Sequence, residues 1–230
     1  MTMTTTIRST ALTAVLALTI VASGCSSNLR TGALGGAATG ALVGAITSGS
    51  ARAAIMGAAI GGAAGAAIGG IMDAQANDLQ DDLPNATVER VGEGIRITFD
   101  SGILFDVSSS TLRSAAVGNL RELAASLDKY EGTDVLVLGH TDSTGDEGMN
   151  QTLSERRAIA ARDFLLGAGL ESGRVVAQGR GELEPVDSND TDVGRQANRR
   201  VEIAIFASDD MQSEMLRRHR GDWDARAPLR

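Results

Sequence analysis

The stretch Val135-Leu136-Val137-Leu138-Gly139-His140-Thr141-Asp142-Ser143-Thr144-Gly145, followed by Asn150 and by Leu153-Ser154-Glu155-Arg156-Arg157, decides how this chain folds. Four strand-forming apolar residues between turn signals predict a strand buried on both faces. The chain then turns through Thr141 to Gly145 and enters a helix near Asn150, on which Leu153, Ala160, Phe164 and Ala168 mark a core-facing stripe. Arg157 falls inside that stripe. A guanidinium there must snorkel outward, pair with an acid or meet an anionic ligand. Asp142, at the C-terminal end of the strand, is the nearest candidate partner, and sheets with parallel strands place ligands at that end. A cation and an anion together suit a zwitterion, the carboxylate taking an ammonium and the guanidinium fork a carboxylate. The residues also fit a structural role, with Asp142 as an Asx-turn residue and Arg157 bending its head into water.

On either side the chain alternates strands and helices. Thr87–Val91 and Ile95–Phe99 flank Gly92-Glu93-Gly94 and predict a hairpin with one buried face. After Ile103-Leu104-Phe105-Asp106, serines 108 to 110 offer an N-cap to a helix with the stripe Leu112, Ala116, Leu120, Leu123, Leu127 and Tyr130. Further strands are expected at Arg174–Gln178 and Arg200–Phe206, separated by a polar loop from Glu182 to Gly194. The order predicts an α/β sandwich with a mixed sheet covered by helices. Beyond Ala207 the charged segment reads as a solvated tail, with a frayed amphipathic helix as the alternative.

The N-terminal third differs in kind. The short apolar run Ala11–Val21 after Arg8 has the length of a signal-peptide core, too short to span a bilayer. It ends at Val21-Ala22-Ser23-Gly24-Cys25, which resembles a bacterial lipobox with Cys25 as the acylated residue; Ala22 departs from the usual leucine. Ser26 fits the form exported to the outer membrane, with multiple acyl chains giving stable anchoring. Next come two glycine series spaced by four, Gly32, Gly36, Gly40 and Gly44, then Gly57, Gly61, Gly65 and Gly69. That spacing puts each series on one helix face and predicts a helical hairpin able to self-associate. As helices the two apolar runs would be roughly 22 and 30 Å long, so membrane crossing stays open. The expected organisation is a signal peptide over 1–24, a lipidated N-terminus over 25–30, a zipper hairpin over 31–72, a linker over 73–86, a folded domain over 87–207 and a tail over 208–230.

Gly139-His140-Thr141-Asp142, Asn150, Leu153-Ser154, Arg156-Arg157, Gly179-Arg180-Gly181-Glu182, Pro185 and Asn198-Arg199-Arg200-Val201-Glu202-Ile203 together resemble the OmpA C-terminal-like, peptidoglycan-binding domain. The match runs from about Thr87 to Ala207, and with the zipper it resembles outer-membrane lipoproteins of the YiaD type. The resemblance implies a βαβαβ sandwich. It also implies that Asp142 and Arg157, fifteen positions apart, clasp diaminopimelate of the peptidoglycan stem peptide, with Phe105, Asp106, Asn150 and Leu153 walling the pocket and Arg200 near it. The implied protein sits at the periplasmic face of the outer membrane, lipid at one end and cell wall at the other.

Other classes fit less well. Net charge is −8, with 21 basic against 29 acidic residues, which argues against sequence-independent nucleic-acid binding. One cysteine allows no intramolecular disulfide. No nucleophile elbow accompanies His140, no metal-ligand spacing appears, and the glycine-rich segments lack the Lys-Ser/Thr of a phosphate loop, so neither enzyme, metal nor cofactor is expected. A flagellar stator subunit of the MotB kind would need an acid inside a spanning helix, and neither glycine series has one before Asp73. The remaining rival is a membrane-inserting or pore-forming zipper protein that the wall-binding domain merely positions.

Overall fold

The computed structural model describes residues 49–225, with side-chain surroundings to residue 220. The signal segment, Cys25, the first glycine series (Gly32, Gly36, Gly40, Gly44) and residues 226–230 lie outside the described residues.

Five strands form one mixed sheet in the order β1-β2-β5-β3-β4: β1 Ala86–Val91, β2 Gly94–Asp100, β3 Thr133–Gly139, β4 Val175–Gly179 and β5 Arg200–Ala207. β1 and β2 make the expected hairpin, while β3 runs parallel to β4 and antiparallel to β5. All seven residues of β3 are buried, as its unbroken apolar run requires. Ile95, Ile97, Phe99, Val135, Val137, Val201, Ile203 and Ile205 face the larger core. Leu136, Leu138, Ala204 and Phe206 point to the opposite face and a second, smaller apolar layer.

The larger core lies under α4 (Ser114–Lys129) and α5 (Glu147–Gly167). On α4, Ala116, Leu120, Leu123 and Leu127 are buried as expected, but the helix starts at Ser114 and serines 108 to 110 stay in the preceding loop. On α5 the buried face is Asn150, Ser154, Arg157, Ala158, Ala161 and Leu165, offset from the expected Leu153, Ala160, Phe164 and Ala168. Two glycines explain the offset. Gly139 and Gly179 are register partners at the ends of β3 and β4. A Cβ on Gly139 would lie 2.2 Å from the Ser154 carbonyl oxygen, and one on Gly179 2.5 Å from the Glu155 nitrogen. The helix backbone therefore sits against the strand ends at Ser154, whose hydroxyl accepts from Gly181 N at 2.8 Å.

The second glycine series is not one helix. α1 (Ala51–Ala58) and α2 (Gly62–Asp82) are separated at Gly61 and Gly62, which have φ of +67° and +68° and so occupy the left-handed region that glycine tolerates. Ala51, Ala54, Ile55 and Ala58 of α1 cover the smaller apolar layer, whereas Ile68, Met72, Ala76 and Leu79 of α2 join the larger core. The elbow is held by the β1–β2 turn, where the Glu93 carboxylate accepts from Ile60 N at 2.9 Å and Gly61 N at 2.8 Å. A negative group at a helix N-terminus is favourable. Gly65 leaves room for it, since a Cβ there would lie 2.0 Å from Glu93 Oε1.

Two expectations change accordingly. The stretch from Asp73, expected as a polar linker that carries the preceding helix on for a turn or two before Pro84, is helix as far as Asp82, and Asp78 accepts from Lys129 Nζ at 2.5 Å and Tyr130 Oη at 2.7 Å. The expected solvated tail is helix α7 (Asp209–Ala225), with Met211 and Met215 packed against the larger core. Among the described residues no helix is long and apolar enough to cross a membrane.

Because Ile55 is fully buried against the sheet, Ile55→Ala should lower unfolding stability by about 2 kcal/mol, the lower end for a large-to-small core change. Urea denaturation of the full chain checks this. An unchanged midpoint would mean that α1 is independent of the sheet.

Candidate functional site

A cleft of about 440 Å³ opens where the C-terminal end of β3 meets the first turns of α5. Its walls include Phe105, Asp106, Asp142, Asn150, Leu153 and Arg157, together with Arg199 and Gln196. Six of the seven residues singled out from the sequence thus line one cavity. Arg200 is the exception.

Asp142 is delivered by the strand end. Arg180 N donates to Gly139 O and Thr141 N to Gly181 O, both at 2.9 Å, so the pairing of β3 with β4 carries on into the loop. Asp142 Oδ1 accepts from Thr144 N at 2.9 Å, the Asx-turn role considered from the sequence. Oδ2 pairs with the guanidinium of Arg199. Burial would raise the Asp142 pKa, but the Thr144 N–H and Arg199 outweigh it and hold the carboxyl below its ordinary value. Asn150 serves the same loop: Nδ2 donates to Asp142 O at 3.2 Å, Thr144 O at 3.1 Å and Glu182 Oε2 at 2.7 Å. Its amide is committed to holding the loops in place.

Arg157 is 4% exposed and, among the described residues, has no acid within ion-pair distance. Its Nε donates to Ser109 O at 2.9 Å and Nη2 to Asp106 O at 3.4 Å, and its guanidinium lies 5.3 Å from the centroid of the Phe105 ring. Backbone carbonyls and a π face thus replace the acid. The carbonyls come from a tight turn in which Ser109 N donates to Asp106 O at 3.1 Å and Ser108 sits at φ +56°. Burial, then the charge of Arg199, lower the Arg157 pKa against a smaller upward pull from Asp142. The expected Asp142–Arg157 pair is therefore two facing groups with separate partners.

The Asn198-Arg199-Arg200 run divides three ways. Asn198 is fully buried and pins the preceding loop, accepting from Val186 N at 2.8 Å and donating to Asp187 O at 2.8 Å. Arg200 turns to the α1 side of the sheet, where its Nε meets Glu202 Oε1 at 2.7 Å with both side chains 5% exposed. The expected place of Arg200 near the pocket is thus corrected: its guanidinium is committed to a buried pair with Glu202. Arg199, passed over as a site residue, lines the cleft beside Asp142. Strand parity carried the signal: Val201, Ile203 and Ile205 face the helices, so Arg199 shares their side and Arg200 does not.

Residues 104–199 match the OmpA family. The chain carries an OmpA-family domain. The matched span includes Asp106, Asp142, Arg157 and Arg199. Residues 3–73 match the YMGG-like Gly-zipper family. The probable lipoprotein YiaD of Escherichia coli K12 is 39% identical over 119 residues, 52% of this chain and 54% of its own length. Outer membrane porin F of Pseudomonas aeruginosa is 43% identical over 118 residues, 51% of this chain and 33% of its own length. The chain thus spans about half, or less, of these curated relatives. The solved cell wall anchor of the T6SS from Pseudomonas aeruginosa is 34% identical with a TM-score of 0.54, covering 58% of this chain and 97% of that one.

His140 of the OmpA-family domain lies outside the cleft. It is 1% exposed, and neither ring nitrogen has a hydrogen-bond partner among the described residues. Burial, aided by the positive charges of Arg200 and Arg180, pushes its pKa from 6.5 down to about 3. The imidazole is thus neutral in the fold, while the unfolded chain takes up a proton below 6.5. Stability should fall as pH drops from 6.5 towards 3, by about 2 kcal/mol between pH 6.5 and 5 from this residue alone. Glu184, whose carboxyl burial pushes up, acts in the opposite direction. Urea denaturation at the two pH values checks this, and His140→Gln should show the flatter pH dependence.

Proposed function

We propose that the chain binds peptidoglycan non-catalytically, its cleft gripping the free ammonium and carboxylate of diaminopimelate in the stem peptide. The observation that carries this reading is the placement of an ionised, buried Asp142 and an immobilised Arg157 on the walls of one residue-sized cleft. The carboxylate receives the ammonium, and the unengaged edge of the guanidinium receives a carboxylate. The Phe105 ring and Leu153 exclude water from both, strengthening each contact. The OmpA-family match, and the cell wall anchor among the solved relatives, support the assignment.

We further propose that Cys25 is acylated and holds the protein at the periplasmic face of the outer membrane. YiaD and porin F, by name a lipoprotein and an outer-membrane protein, support that placement. Each single contact with a stem peptide is weak, and tethering comes from many copies engaging one polymeric wall.

Asp142→Ala and Arg157→Ala should each abolish sedimentation with purified sacculi; removing one partner of a desolvated contact costs about 2–5 kcal/mol. Arg157→Lys should fail as well, because a point charge cannot reproduce the fork that spans the carbonyls and the ligand. Folding of each variant is checked by circular dichroism melting. A variant that still sediments counts against the reading. Separately, Cys25→Ser should release the protein from the membrane fraction and abolish its labelling by radioactive palmitate.

A further inference from the structure

α1 runs along the sheet from one end to the other, on the face away from the larger core. Gly49, the first described residue, lies against Glu184: a Cβ on it would be 3.4 Å from Glu184 Oε1. Glu184 O accepts from Arg200 Nη2 at 3.1 Å, and His140 N donates to Arg200 O. This contact therefore stands at the end where β3 stops and the cleft opens. At its other end α1 reaches the β1–β2 turn. Ile55 seats on Gly94, where a Cβ would lie 2.6 Å from Ile55 Cγ2, and Glu93 holds Ile60 N and Gly61 N. Ile95 pairs with Ile205 and Thr133 with Ala207, which puts that turn at the opposite end of the sheet from the cleft.

α1 is held less firmly than α2. Three of its four buried residues are alanines and only Ile55 is large, whereas α2 buries Ile68, Met72 and Leu79 completely. Apolar stabilisation follows the area covered. The apolar layer under α1 also stops short of the cleft end, since strand parity continues its face into Gln178, His140, Arg200 and Glu202. Both His140 ring nitrogens, Gln178 Oε1 and Glu184 Oε2 are buried there without hydrogen-bond partners among the described residues. Such atoms oppose the closed state, because opening hydrates them. Leu136, Leu138 and Phe206 act the other way and make the docked position the resting one. Between the two helices stand Gly61 and Gly62, both at positive φ, where the chain swings at least cost.

We propose that α1 is a releasable strap that leaves the sheet as a unit, hinged at Gly61 and Gly62, while α2 and the sheet stay folded. Release lets out Gly49 to Gly61, roughly 40 Å of chain when extended. It also moves the point at which the N-terminal chain leaves the domain, from the cleft end to the β1–β2 turn. A domain held to the wall by its cleft then has its membrane anchor at the far end, and a pull between the two favours the released state. That consequence rests on the peptidoglycan and Cys25 readings; the release of α1 rests on neither.

The test is native-state hydrogen exchange of the full chain at urea concentrations below its unfolding transition, using wild type, Glu93→Ala and Ile55→Ala. In wild type the amides of Ala54 to Ala58 should exchange together, at least about tenfold faster than those of Met72 to Leu79 and of β5. Their urea dependence should be weaker, because releasing α1 exposes less surface than unfolding the domain. Glu93 bonds only the Ile60 and Gly61 amides, yet Glu93→Ala should speed Ala54 to Ala58 by the same factor as those two, about tenfold, the scale of one hydrogen bond to a charged group. Ile55→Ala should speed the same amides together, and decides the matter if the Glu93 variant does not fold. α1 amides that share the rate and urea dependence of β5 would overturn the proposal, since α1 would then open only with the whole domain. An acceleration by Glu93→Ala confined to Ile60 and Gly61 would overturn it too, leaving a frayed turn. The exchange needs neither wall nor lipid, so failed binding to sacculi or failed palmitate labelling would sink those readings without deciding this one.

Discussion

The site depends on a backbone-to-backbone contact. α5 rests directly on the ends of β3 and β4 because Gly139 and Gly179, side by side in the sheet, present no side chain to it. That contact fixes Ser154 over the strand ends and sets the rotation of the helix. Arg157, on the same face one turn later, is thereby brought to the cleft that Asp142 enters from the strand. A side chain at either glycine would collide with main-chain atoms, which have no rotamer to escape into, and helix and strand end would separate. Loss of that spacing would open the cleft between its two charged groups without touching either.

Burying charge next to this contact is expensive, and the protein meets the cost without pairing its two principal groups. Arg157 is satisfied by two main-chain carbonyls and an aromatic face, Asp142 by a main-chain N–H and Arg199. Each group remains ionised, and each keeps capacity facing the cavity. A direct Asp142–Arg157 pair would have satisfied both and left little for a ligand. The supporting loops are in turn stitched by Asn150 and Asn198, whose amides are used up on backbone and side-chain acceptors. The two asparagines give the cleft its shape while the charges give it chemistry.

The glycine-rich segment shows how one composition serves different neighbours. Spacing of four clears one face of a helix, which permits close approach by whatever lies opposite. For Gly65 that neighbour is the carboxylate of Glu93 rather than a second helix. Gly61 and Gly62 bend the chain so that α1 and α2 cover opposite faces of the sheet. Among the described residues, the apolar side chains of α1 and α2 therefore fill the domain's own two cores, and Ala51 to Leu79 is part of the folded unit.

Strand and helix order, the burial of β3 and the approach of Asp142 and Arg157 were legible in short-range patterns: an unbroken apolar run, period-two alternation around Ile97, and spacing that sets Asp142 at a strand end with Arg157 on the next helix; Phe105, Asp106, Asn150 and Leu153 were reached only through the resemblance to the OmpA domain. Strand parity separates Arg199 from Arg200, but it was not applied to the run of two arginines, and the sequence reading took Arg200, which lies outside the cleft. The sequence could not decide which partner each charge takes, which face of the sheet the glycine-rich helices cover, or whether Asp209 to Ala225 packs. Those outcomes turn on contacts between residues dozens of positions apart, such as Arg199 with Asp142 and Glu93 with Gly61. Local pattern supplies the groups and their approximate directions. Only the assembled packing determines which of several chemically equivalent neighbours lies within reach.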